Sequence, residues 1–172
     1  MAKESTVKFD DRKLKADMLR EMSKEQTRLL IMYAADELAR MVETHEYWNR
    51  TFNLEDSYVW AVFFNGKKQG IGFYSNKVAT KNSILHEWGK KQSQVPVNGR
   101  RAAREFIDSY HSSTKGWEVV WAAAAPYGAY LEAGFKIPSG RKMQFDVISQ
   151  RYDHIKRELE PKASVKFEIT FP

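Results

Sequence analysis

Tyr58-Val-Trp-Ala-Val-Phe-Phe-Asn-Gly66, with Gly70-Ile-Gly-Phe-Tyr74 behind it, decides the fold. The first seven residues are β-branched or aromatic apart from one alanine, which predicts a strand. Asn65-Gly66 is a hairpin signal, because both central positions of a type I′ turn need positive φ. Gly70 to Tyr74 is then the returning strand. Its two glycines predict a bulge or a close approach of another group to the backbone.

Working outward, Ser23-Lys-Glu-Gln26 reads as a capping box that starts a helix. Leu30, Ala34, Leu38, Met41 and Val42 follow at helical spacing, so the helix is predicted to run to about Thr44. Residues 1–22 carry charges of both signs and only a weak stripe of Leu14, Met18 and Leu19. They read as a charged N-terminal arm or a marginal helix that needs a partner. His45 to Ser57 is a polar and aromatic connector.

Downstream of the hairpin, Asn82 to Trp88 reads as a short helix. Arg100 to Tyr110 is an amphipathic helix, with Ala103, Phe106, Ile107 and Tyr110 on one side. Trp117 to Ala124 is a strand that Pro126 ends. Lys142 to Glu160 is predicted as a helix, with Phe145, Ile148, Tyr152, Ile155 and Leu159 at spacings of three and four. Ser164 to Phe171 alternates as a half-buried strand. The chain therefore reads as α+β: an antiparallel β-sheet packed against a long N-terminal helix and a C-terminal helix, in one domain over residues 23–172.

Composition excludes several classes. The 172 residues contain no cysteine, so disulfides, thiolate metal sites and thiol catalysis are out. No apolar run approaches the ~20 residues of a membrane span, and Met1 to Thr6 has no signal-peptide core, so synthesis in the cytoplasm is expected. The net charge of +6 is spread over separate pairs such as Lys67-Lys68 and Lys90-Lys91, with no sustained basic run.

The chemistry-bearing patterns are missing. No two of His45, His86, His111 and His154 stand at i, i+4, and none sits beside a carboxylate cluster in the sequence; no metal and no cofactor is expected, short of a composite site assembled in space. Gly70-Ile-Gly72 lacks the third glycine of a dinucleotide fingerprint. Ser139-Gly-Arg-Lys142 matches a bare Ser-x-x-Lys without its companion motifs. Glu132 has no base or nucleophile beside it, and a salt bridge or a backbone contact that fixes a turn is its expected role. The chain is not expected to be an enzyme.

Two segments carry a family likeness. Asn49-Arg-Thr-Phe-Asn-Leu-Glu-Asp-Ser57 resembles the Thr-Gly-x-Leu-x-x-Ser-type segment of tailed-bacteriophage neck or tail-completion proteins, with Phe52 where glycine is common. Pro126-Tyr-Gly-Ala-Tyr-Leu-Glu-Ala-Gly134 is similar to that family's Tyr-Ala-x-Tyr-x-Glu-x-Gly segment. The order of elements agrees over roughly residues 23–160, with a longer insertion at about 82–111. The resemblance implies a structural virion protein, made in the host cytoplasm. It would form a homo-oligomeric ring at the head-to-tail junction, joining portal or connector to tail proteins around a DNA channel without sequence reading. Sixfold and twelvefold rings are both open. Thr51, Asn53, Leu54 and Ser57 would form the turn into the first strand. Tyr127, Tyr130 and Glu132 would fix the neighbouring loop or a subunit contact.

Two alternatives stand beside this reading. The first is a nucleic-acid-binding module that uses the aromatic hairpin (Trp60, Phe63, Phe64, Phe73 and Tyr74) and the flanking Lys67 and Lys68. The second is a small hydrolase with a composite Glu132/His site.

Overall fold

The computed structural model describes residues 11–43, 53–74, 83–85, 95–136, 140, 142–144 and 147–159. In chain order these form α1 (Asp11–Glu43), α2 (Asn53–Asp56), β1 (Tyr58–Phe64), β2 (Lys67–Phe73), β3 (Ser83–Leu85), β4 (Val95–Val97), α3 (Gly99–Ser109), β5 (Trp117–Ala123), α4 (Pro126–Ala133), β6 (Phe135–Lys136), β7 (Lys142–Met143) and α5 (Ser149–Leu159).

The main sheet is antiparallel with order β2-β1-β5, so the apolar strand β1 is central. Asn65 and Gly66 both take positive φ, at 48° and 79°, as the tight hairpin requires. The register slips between Val62 and Phe63, where Gln69 is the extra residue on β2. Both β2 glycines lie under the Trp60 indole: a Cβ at Gly72 would stand 2.5 Å from the ring, and one at Gly70 would meet Ile31 at 2.8 Å.

Helices cover both faces of β1. Tyr58, Trp60 and Val62 join Ala34, Leu38, Met41 and Val42 of α1, with Val147 and Ile155 at α5. Val59, Ala61 and Phe63 face the other way, onto Ala103 and Ile107 of α3. The result is three layers: α1 with α5, the sheet, then α3. This is the α+β arrangement that the strand and helix periods predict, with the sheet packed against the N-terminal and C-terminal helices.

Three local expectations are corrected. Ser23 does not start a helix. The helix runs unbroken from Asp11, and the Thr27 hydroxyl donates to the Ser23 carbonyl inside it. No glycine or proline lies between Asp11 and Ser23 to stop it. The predicted helix at Asn82 to Trp88 is instead a strand at Ser83–Leu85, paired with Val95–Val97. Finally, Lys142–Met143 pairs with Phe135–Lys136 and is not helical. The last helix begins at Ser149, where a distant carboxylate caps it. The predicted strand at 164–171, the connector at 44–52 and residues 1–10 lie outside the described residues.

Candidate functional site

The residues singled out by sequence occupy two buried turns that touch each other. Asn53, Leu54, Asp56 and Ser57 are all at most 2% exposed. Ser57 closes the α2 turn: its N–H and its hydroxyl both donate to the Leu54 carbonyl, at 3.0 and 2.6 Å. The Asn53 side-chain oxygen accepts the N–H of Gly99, the first residue of α3, at 3.0 Å. Asn98 caps the same helix by accepting from Arg101 N–H at 2.9 Å. Two of the orphan donors at this helix end are thus satisfied, one of them by a residue 46 positions away.

The approach is so close that only glycine fits. A Cβ on Gly99 would overlap the Asn53 carbonyl oxygen. Asp56 adds a buried ion pair beside it. Its carboxylate, 1% exposed, accepts from both Nε and Nη2 of Arg100, whose guanidinium lies 4.2 Å from the Phe73 ring centre.

The second turn is α4. Pro126 does more than end β5: it takes the first helical turn, where its missing N–H costs nothing. Glu132 then reaches the start of α5. Its carboxylate, 6% exposed, accepts the N–H groups of Val147, Ile148 and Ser149 at 2.7, 2.8 and 3.1 Å. A negative group at a helix N-terminus satisfies orphan donors and complements the helix dipole. Tyr58, fully buried, ties the same segment to β1 by donating to the Val147 carbonyl at 2.9 Å.

Leu54 joins the two turns. Its Cδ1 presses on Gly128, where a Cβ would stand 3.2 Å from it and 3.2 Å from the Ala123 carbonyl. The backbone of Tyr127 and Tyr130 belongs to α4, but their side chains, like Thr51, lie outside the described residues. No described histidine hydrogen-bonds to Glu132. The hairpin aromatics are not an open platform: Trp60 and Phe63 are 8% and 4% exposed, and Phe64 stacks on Trp117 with ring centres 4.3 Å apart.

A third polar cluster escaped the sequence reading. Glu37 on α1 is 1% exposed and takes a two-pronged contact from Arg151 of α5, with Arg40 on its other side. His154 and Glu158 of α5 lie against it, so that one ligating atom from each of Glu37, His154 and Glu158 falls within 4.8 Å of the others. The Tyr33 hydroxyl donates to Glu158 at 3.1 Å. Burial first, then this hydrogen bond and the Glu158 charge, push the Tyr33 hydroxyl up to about 12. The sequence did hold a signal, His154-x-x-x-Glu158 on one helix face. The third member, more than a hundred residues earlier, was invisible without the fold.

No protein-family model matches the chain, and neither a curated protein nor a solved structure matches it. Among the described residues, no helix is long and apolar enough to cross a membrane.

Proposed function

We propose that this protein is a structural component of a tailed-phage virion, a neck or tail-completion subunit. It assembles as a homo-oligomeric ring that joins portal or connector to the tail and surrounds the DNA channel. One observation carries the reading: the two segments that bear the family likeness meet at Leu54 and Gly128. Each also closes a helix N-terminus, through Asn53 and through Glu132. Two short patterns that interlock in space are one structural unit, which chance similarity of separate words does not require.

The surface supports the same role. Leu14, Met18, Leu19, Met22, Leu29 and Met32 of α1 are each about half exposed. Large apolar side chains concentrated on one element mark a protein-contact surface. A ring uses heterologous contacts, in which one patch meets a different patch on the next subunit.

Electron microscopy of the purified chain, alone and with portal or tail extracts, tests the proposal. Closed rings, and labelling at the neck of intact virions, are expected. A protein that stays monomeric at all concentrations and is absent from virions overturns it.

A further inference from the structure

We propose that His154, Glu158 and Glu37 form a site for a divalent transition cation of the zinc class, held between α1 and α5. The donor set is chemically suitable: one imidazole and two carboxylates, with further coordination positions left to water or a partner. His154 and Glu158 stand four residues apart on α5, so one helix face presents both. Glu37 comes from the facing helix, and the three ligating atoms lie within 4.8 Å of one another.

An independent observation marks a ligating atom there whose bonding is unmet. His154 Nε2 is shut off from solvent and has no aligned hydrogen bond, although Glu158 Oε1 is only 3.1 Å away. In a neutral imidazole whose Nε2 lone pair faces the carboxylate, two acceptors would stand against each other. A metal ion relieves that contact, as does a proton carried on Nε2. The outer hydrogen bonds suit the metal. Ligating carboxylates are held by outer hydrogen bonds, and both have them: Tyr33 donates to Glu158 Oε2, and Arg151 to Glu37. An ionised carboxylate has lone pairs enough to keep its arginine and still ligate. Arg151 and Arg40 oppose a cation, so the affinity should fall well short of a closed structural zinc site.

Titration of the EDTA-treated, tag-free chain with zinc chloride at neutral pH tests this by calorimetry, with metal content measured after gel filtration. One equivalent of zinc is expected. His154→Ala and Glu158→Gln, both at partly exposed side chains, should each weaken binding about tenfold or more. His111→Ala, at an exposed site in the connection from α3 to β5, should leave it unchanged. The His154 ring nitrogens should also shift on zinc addition in nitrogen-resolved NMR. Absence of saturable binding, or binding that survives both α5 substitutions, overturns the site. So does a His154 signal that follows protons and ignores zinc.

Discussion

The Glu132 carboxylate accepts the Val147 N–H at 2.7 Å, and the same group holds the next two N–H groups at the start of α5. Replacing it with alanine leaves three donors unmet, one buried and two half-buried. Hydrogen bonds to a charged group contribute roughly 1.5–3 kcal/mol, so Glu132→Ala should cost about 3 kcal/mol and Glu132→Gln less. Urea denaturation followed by circular dichroism measures both. A change below about 0.5 kcal/mol would show that α5 starts without this cap.

Gly99→Ala should be among the most damaging small substitutions in the chain, because the added methyl collides with the Asn53 carbonyl. Overpacking of a rigid contact costs about 1–3 kcal/mol and sometimes more. Arg101→Ala, two positions on and exposed, should stay within about 0.5 kcal/mol of the parent. Thermal melts of the pair read the difference directly.

Asp56 and Arg100 form a pair in which removing one partner strands a charge. Arg100→Met or Asp56→Ala should each cost about 3–5 kcal/mol. The double variant should cost much less than the sum, since neither charge is then left alone. A double-mutant cycle by chemical denaturation gives the coupling, and simple additivity would refute a direct interaction.

Tyr33 should be slow to ionise. Its folded value, raised to about 12 from 10.0, means the unfolded chain releases this proton first as pH rises. The associated stability is therefore complete below pH 10 and is lost as pH climbs toward 12. Ultraviolet titration of metal-free protein should show a late step that Glu158→Gln brings down, separate from Tyr74, whose hydroxyl burial also raises. A Tyr33→Phe variant that retains the late transition would assign it elsewhere.

Met18→Glu combined with Met22→Glu should leave the monomer's melting almost unchanged, since both side chains are more than half exposed. If α1 carries a subunit contact, the same changes should abolish assembly. Light scattering separates the two effects.

The hairpin was legible because its signals are local. Asn65-Gly66 sets the turn, and the unbroken apolar run of β1 foretells cover on both faces. Helix boundaries were less legible. Ser23 looks like a cap, but a cap acts only where the chain upstream leaves the helix, and nothing between Asp11 and Ser23 makes it leave. The start of α5 depends on Glu132, at least 15 residues away, which no window around Ser149 contains. A still longer separation, 46 residues, hid Asn53 as a partner of Gly99, although both residue types are common at helix ends. For the Glu37 cluster, α5 displayed two members openly and the third needed the packing of α1.

The 33-residue α1 is about 50 Å long at 1.5 Å per residue. Its fully buried residues begin at Ala34, with Leu30 and Ile31 packed against the edge of the same core, and the Trp121 indole also grips the Ala34 carbonyl at 2.9 Å. Mechanically, this is a lever with a clamped end and a long free arm. A small sideways push near Leu14 would act on the clamp with a mechanical advantage, turning a displacement at the tip into torque on the central strand.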